Sequence, residues 1–526
     1  REEVALLADV GVTWYTWLEQ GREVNPSANV LQAIASALQC TPTETRHLFL
    51  LAGLAPTEAL NSPQCEGISD STRRLLDSLL PNPASIQKPN FDIVAWNAGF
   101  ERLIDEGYLL TRKGAGTFVC DHIPDHVISE YGSPTAPETA IASVGPLNPD
   151  VSALVPSWTE SEDSGEMGAV FAVGIGCTDL FPHALWGRLL GRVWRQSRRE
   201  LASHASSWGF LPLRQAISDY IQATRGVNCH EDRVIIVNGI QQALTIAAQA
   251  LLEKGDEVWL DDPGYNGARG AFAARGAVVR PVRVDDEGMD IQDGIDHYPG
   301  AKLVYTAPSH QFPLSGTLSL PRRLALLEWA EANRAWIFED DYNSEFRYAA
   351  RSLQALQGLD KHQRVIYAGT FSKMMYPAFR LGFLVVPEHL REQFAITKYY
   401  TDLCSGYLEQ AVLARFIREG HYASHVRRIR KACFERKSAL EAAIKFYFSG
   451  RMLVHPTDSG VHIVCWLLDG LRAQEVVRKA RQIGLGVQTF ARYCQRPMSR
   501  EGILLGFANH PPEVLAEGIR RLAAVI

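Results

Sequence analysis

No apolar run in the 526-residue chain approaches the ~18 residues of a membrane span, and no charged-then-apolar leader opens it. A membrane-anchored protein is therefore not expected. The nine cysteines stand singly from Cys40 to Cys494, with no C-x-x-C pair and no metal-ligand spacing. That pattern argues against a disulfide framework and a zinc site, and for a reducing, cytoplasmic compartment. There is no excess of positive charge either. A formal charge of -6 excludes a protein that coats nucleic acid, although a small reading head is compatible with it. The length exceeds what one hydrophobic core organises, so two or more domains are expected. Because the chain opens at Arg1 inside a helical pattern, a further element is expected ahead of it.

Residues 1 to 55 read as short helices. EEVALLA is followed by a turn at Asp9 to Gly11, then by VTWYTWLEQ closed by Gly21, and a Ser27 cap opens a third helix with Val30, Leu31, Ile34, Ala35 and Leu38 on one face. Two helices joined by so short a turn suggest a helix-turn-helix; a small bundle with its tryptophans in the core is the competing reading. EVALLADVGVTWYTWLEQGR resembles the Cro/XRE-type repressor domain of MmyB-like bacterial regulators. The resemblance implies that Val12, Thr13, Thr16 and Trp17 face DNA and that Arg22 lies near its backbone. Gly11 stands where that family usually has a serine cap. Residues 1 to 120 carry nine lysines and arginines against fourteen aspartates and glutamates, so one head by itself is expected to bind DNA weakly.

Residues 56 to 100, with STRRLLDSLLPNPASIQKPNFDIVAWNAGF, look like the MmyB-type continuation. Residues 101 to 120, containing TRKGAGTFV, resemble the wing of a GntR-family winged helix, with Arg112 and Lys113 placed for phosphate; a plain surface hairpin turned by Gly114 and Gly116 fits equally. A junction between two regulator families near residue 100 follows. Residues 121 to 170 are rich in Pro, Ser, Thr, Glu and Asp and read as a linker.

From residue 171 to 526 short apolar strands alternate with helices: RVIIV, a helix from Gln241 to Leu252, EVWL, AVVRPVRV, KLVYT, a helix from Pro321 to Glu331, AWIFE, RVIYA and RLGFLVV. Alternation of this kind implies an α/β domain built on a mainly parallel sheet covered on both faces. A long helical region from about 388 to 447 and strands near 461 to 468 and 502 to 508 predict a smaller C-terminal α/β subdomain.

The chemistry gathers at the strand ends. In IYAGTFSKMMYPAFRLG, Lys373 stands among Phe371, Met374 and Met375, an environment that lowers an amine's pKa and frees it for a Schiff base. Thr370 and Arg380 supply a hydroxyl and a guanidinium suited to a phosphate ester. An ordinary surface lysine is the competing reading. NGIQQAL, with Asn238 as its cap, offers helix-terminal amides as an anion seat, and Tyr265 in DDPGY has a face that could stack on a heterocycle. FEDDYNSEF places two carboxylates after an apolar strand; one of them, buried, would keep a pyridine nitrogen protonated, whereas a strand-end cap or a metal-binding pair would be the alternative.

Taken in order, APSHQFPLSG, FEDDYNSEFRY and GTFSKMMYPAFRLGFLV resemble the fold-type-I aminotransferase-like domain of MocR regulators, a GntR subfamily. The resemblance implies pyridoxal phosphate as cofactor and no metal. Lys373 would be its Schiff-base lysine, Asp340 the partner of the pyridine nitrogen and Tyr342 that of the ring hydroxyl. Tyr265 would stack on the ring, Gly239, Ile240, Gln241, Thr370 and Arg380 would hold the phosphate, and His310 and Gln311 would line the substrate side. A homodimeric transcription regulator that binds DNA and senses a small amino compound follows; a pyridoxal-phosphate aminotransferase and a non-functional fusion are the alternatives. Two departures stand out. His204 to Ser207 replace a Tyr-Gly-Asp-Pro that reaches the neighbouring subunit's phosphate, and Leu504 replaces the arginine that clamps a substrate carboxylate, leaving Arg492 or Arg496 to substitute.

Overall fold

The computed structural model describes residues 2–20, 26–52, 69–87, 93–105, 108–112, 116–119, 168–196, 206–348 and 353–526. Arg22, Lys113, Gly114, His204 and nearly all of the expected linker lie outside the described residues. The chain divides into two compact units, residues 1–142 and 143–526.

The first unit opens with α1 (Glu2–Leu7), α2 (Val12–Glu19), α3 (Ala28–Ala37) and α4 (Pro42–Leu51). Ser27 caps α3 by accepting from the Val30 amide at 3.4 Å. Ala5, Ala8, Tyr15 and Ile34 form the shared core, and Trp14 packs against it. Trp17 is 41 % exposed, so the reading of both tryptophans as core holds for one of them only. Further along come α5 (Asp70–Asp77), the antiparallel pair β1 (Ser85–Gln87) and β2 (Ile93–Trp96), α6 (Ala98–Asp105), and the hairpin β3 (Leu109–Arg112) and β4 (Gly116–Val119). Asn97 joins these pieces. Its buried amide accepts from the Ala84 and Phe100 amides and donates to the Leu76 and Asn82 carbonyls, all within 3.0–3.1 Å.

The second unit is built on an eight-stranded sheet in the order β5-β12-β11-β10-β9-β6-β7-β8. Its strands are β5 (Val234–Val237), β6 (Glu257–Asp262), β7 (Val278–Asp285), β8 (Gly288–Met289), β9 (Leu303–Thr306), β10 (Trp336–Asp341), β11 (Val365–Thr370) and β12 (Gly382–Val385). The run from β11 to β7 is parallel, while β12 and β8 pair antiparallel with their neighbours. Alternating side chains serve both faces, as the period of a strand demands. Ile235 and Val237 enter a core with Ala243, Leu244 and Ala247 of α9 (Ile240–Leu251), whereas Val234 and Ile236 pack on the opposite side. That second face continues in a core where Trp259 stacks on Trp329 at 4.0 Å.

The surrounding helices, besides α9, are α7 (His183–Gln196), α8 (Leu211–Arg225), α10 (Asn266–Ala274), α11 (Ile291–His297) and α12 (Leu320–Ala332). The long helical region resolves into α13 (Arg391–Asp402), α14 (Tyr407–Arg418) and the 27-residue α15 (His421–Tyr447). A smaller antiparallel sheet, β13-β14-β16-β15, carries α16 (Ala473–Gln482) and α17 (Pro512–Val525). Its strands are β13 (Met452–Val454), β14 (His462–Leu467), β15 (Gln488–Thr489) and β16 (Gly502–Gly506). Spacing in the sequence gives no sign that two buried thiols, Cys177 and Cys433, meet at 3.0 Å.

Candidate functional site

Strand β10 ends in three successive buried carboxylates, and the alternation of a strand gives them different surroundings. Glu339 accepts the Leu356 and Gln357 amides, both at 2.8 Å. Asp341 receives the Arg225 guanidinium at 2.7 and 3.2 Å and the Tyr367 hydroxyl at 2.5 Å. Asp340, between them, turns the other way to the Tyr305 hydroxyl at 2.7 Å, and its second oxygen has no partner. Burial pushes its pKa up to about 7, against the pull of the Tyr305 hydrogen bond. Opposite faces rule out Asp340 and Asp341 as a metal-binding pair. Among the described residues, no three His, Cys, Asp or Glu side chains gather to hold a metal.

Lys373 follows β11, with Phe371, Met374 and Met375 buried around it. Its ammonium donates to the Gly174 carbonyl. Burial lowers its pKa to about 8, partly offset by the charge of Asp340.

The anion seat forms where β5 turns into α9. Gly239 is the residue before the helix, at φ 89°, a left-handed value that a side chain adopts only under strain. A Cβ there would stand 3.5 Å from the guanidinium carbon of Arg380. Arg380 itself is left-handed at φ 49°, a strained conformation of the kind that accumulates at functional sites. Guanidinium and free helix-terminal amides thus share one point in space. Asn238 is not the cap that its sequence position suggests. Its amide nitrogen donates to Asp402 at 2.8 Å, and the same carboxylate receives Gln242 at 2.8 Å and the fully buried Lys398 at 2.5 Å.

One cavity of about 1060 Å³ joins these pieces. Tyr265, Asp340, Tyr342, Thr370, Lys373 and Arg380 line it, together with Ile240 and Gln241 at the helix start. His310 and Gln311 do not line it, which corrects the expectation that they face the substrate. Both are 2 % exposed: His310 is turned to the Ser459 hydroxyl at 2.9 Å, and Gln311 donates to the Pro263 and Phe312 carbonyls at 2.7 and 2.6 Å. A tight turn closed by the His310 amide on Ala307 directs the next residue, Phe312, to the cavity instead. Arg492, one of the two arginines considered in place of Leu504, lines it as well; Ser372 and His462 also line it and were not legible as site residues, nor were Tyr305, which reads as strand filler, and Asp402, 160 residues and more from the amides it holds.

Of the helix-turn-helix residues, Val12, Thr13 and Trp17 are exposed on α2. Thr16 is half-buried, and its hydroxyl is bonded to the Val12 carbonyl at 2.8 Å.

Three buried polar atoms on cavity-lining residues lack partners: Asp340 Oδ1, Tyr342 Oη and Ser372 Oγ. A carboxylate, a phenol and a cationic anion seat around one lysine fit a phosphorylated pyridine aldehyde. Residues 192–522 match the aminotransferase class I and II family. Residues 68–117 match the ligand-binding domain of MmyB-like transcription regulators, and residues 1–48 match a helix-turn-helix domain. The MmyB-like match runs through most of the segment read as a GntR wing. Over 432 residues, 80 % of this chain and 84 % of the relative, the chain is 34 % identical to the "Probable rhizopine catabolism regulatory protein MocR" of Rhizobium meliloti. The chain belongs to the MocR-type regulators. The HTH-type transcriptional regulator YdeL of Bacillus subtilis is 31 % identical over 85 % of this chain and 90 % of its own. The crystal structure of Pyrococcus horikoshii kynurenine aminotransferase superposes with a TM-score of 0.63 at 26 % identity, over 73 % of this chain and 95 % of that one. As a MocR-type protein the chain is a helix-turn-helix transcription regulator with a fold-type-I aminotransferase domain whose cofactor is pyridoxal phosphate.

Proposed function

We propose that this regulator senses a small amino compound at Lys373 and answers by changing its affinity for DNA, as a cytoplasmic homodimer. The observation that carries the reading is the single cavity in which Lys373, Asp340, Tyr342 and the Arg380 anion seat meet. When bound, pyridoxal phosphate supplies a carbonyl that exchanges one amine for another and a ring that withdraws electrons. The chain's own residues do the rest. Arg380, Thr370 and the amides of Ile240 and Gln241 hold the phosphate. Asp340, a cavity-lining residue with one oxygen unpartnered, would hold the ring nitrogen's proton, and Tyr342 would donate to the ring hydroxyl. Tyr265 would cover the ring and exclude water. Lys373 presents an amine whose pKa burial lowers to about 8, so at neutral pH more of it is unprotonated than of an ordinary lysine.

The same lysine, once displaced, is placed to carry a proton, which favours aminotransferase chemistry as a second reading. Leu504 weighs against ordinary amino-acid transamination, because it lies wholly buried beside Val464, Trp466 and Phe490 and offers no charge.

In the head, Val12, Thr13 and Trp17 would read the major groove, with Thr16 behind them and Arg22 at the backbone. Two heads on one operator would offset the weakness of each acidic head through effective concentration. Selection from random DNA with cofactor-loaded protein is expected to enrich a sequence with two half-sites, and Thr13→Ala to relax preference at one base pair. Enrichment of nothing by folded, dimeric protein would overturn the DNA-reading role.

A further inference from the structure

We propose that Asp402 is a positioning residue for the anion seat, holding the turn between β5 and α9 in the one form whose helix-terminal amides meet the Arg380 guanidinium. The inference rests on the reading of that turn as the phosphate seat and adds the group that builds it.

The turn needs an outside support. Gly239 sits in it at φ 89° and ψ 179°, a conformation essentially confined to glycine, and a residue free to adopt that form is equally free to leave it. Such freedom costs entropy on binding unless the fold has already removed it. On either side of Gly239 the chain is tied down. The Asn238 backbone amide donates to the Gln242 carboxamide oxygen at 2.7 Å, and the side-chain nitrogens of Asn238 and Gln242 both donate to one oxygen of Asp402, each at 2.8 Å. Three hydrogen bonds thus close residues 238 to 242 into one turn that ends on a carboxylate.

Asp402 is itself held. It is the last residue of α13, where the Leu403 amide donates to the Tyr399 carbonyl at 2.9 Å and Leu403 leaves the helix at φ 59°. α13 shares a core with α9, in which Phe394 lies with Ala243, Leu244 and Ala247. The other oxygen of Asp402 receives the Lys398 ammonium at 2.5 Å, and Lys398, its side chain wholly buried, also donates to the Ser405 hydroxyl at 3.1 Å. This pairing has an electrostatic consequence. A bare carboxylate bonded to the neighbour of Gly239 would repel a phosphate, and the ammonium cancels its charge while leaving the acceptor in place. Asn238, Gln242, Lys398 and Asp402 do not line the cavity, so their effect reaches the phosphate through the turn alone.

The test titrates cofactor-free full-length protein with pyridoxal phosphate and with pyridoxal, which has the same ring and aldehyde without the phosphate, and reads binding from the visible absorbance. The ratio of the two dissociation constants reports the seat, because damage to the fold or to Lys373 weakens both ligands together. Two double variants are compared, Lys398→Met with Asp402→Leu and Lys398→Met with Asp402→Asn, so that neither strands a lone buried charge. The leucine variant is expected to lower the parental ratio by about tenfold or more, the scale of hydrogen bonds lost to a charged group, while leaving the pyridoxal constant in place. The asparagine variant, whose carboxamide oxygen still accepts from Asn238 and Gln242, is expected to restore most of it. Asn238→Ala, which cuts one arm and keeps the Lys398 pair, is expected to lower the ratio too, and decides the matter should the double variants fail to fold. A parental ratio in the leucine variant or in Asn238→Ala, or an asparagine variant that falls as far as the leucine one, would overturn the role of Asp402. Arg380→Leu separates this from the seat itself: should it also keep the parental ratio, the reading of the turn as the phosphate seat is what fails.

Discussion

Lys373→Ala protein is expected to fold and to show none of the visible absorbance of lysine-bound cofactor, whereas the parent shows it and loses it on borohydride treatment. No other amine among the described lining residues can take over, because Lys373 is the only lysine there. The same amine sets a pH dependence for uptake. Only its unprotonated form attacks, and its pKa of about 8 lies below the ordinary lysine value. Stopped-flow mixing of cofactor-free protein with pyridoxal phosphate should therefore give a rate that rises about tenfold per pH unit below pH 8 and levels off above it. A rate still climbing as steeply between pH 9 and 10 would mean that burial does not depress the amine.

A second large effect is expected one layer behind the site. Arg225 and Asp341 are a buried pair, with side chains 4 % and 2 % exposed, and Arg225 also donates to Ser309 at 2.6 Å and to the Leu353 carbonyl. Arg225→Leu leaves the Asp341 charge in the interior without its counter-ion, which costs about 3–5 kcal/mol. Thermal unfolding of the aminotransferase domain should move down accordingly. Replacing both partners, Arg225→Leu with Asp341→Leu, should recover most of the stability, since no lone charge remains. A single variant as stable as the parent would show that the pair is not the structural tie described.

Much of the architecture was readable because hydrophobic period and strand-helix alternation are local signals. The helix expected at Gln241 to Leu252 is found at Ile240–Leu251, and that expected at Pro321 to Glu331 at Leu320–Ala332. The groups now found around one cavity were readable for a different reason: Tyr265, Asp340, Thr370 and Lys373 lie at or just past the ends of parallel strands, which deliver side chains to a common edge, and Arg380 lies just ahead of the antiparallel β12. What escaped the sequence depends on direction and distance. His310, Gln311 and Phe312 are consecutive, and only the turn geometry decides that the phenylalanine and not the two polar residues reaches the cavity. Asn238 looked like a helix cap because Asn favours that position, but its side chain answers to Asp402 on a helix far along the chain. The contacts of Tyr305 with Asp340 and of Arg496 with Asp293, and the meeting of Cys177 with Cys433, are likewise long-range facts with no local signature.

The central claim is that occupancy at Lys373 governs the grip on DNA. It is tested most directly by measuring, at fixed salt, the affinity of cofactor-loaded protein for its selected operator with and without the amino compound that moves its visible spectrum most strongly, in the parent and in Lys373→Ala. The account expects the compound to shift the parent's affinity by about 5- to 150-fold, the usual range of coupling between two sites, and to leave the variant unmoved. An operator affinity that stays constant in the parent while its spectrum shifts fully would contradict it.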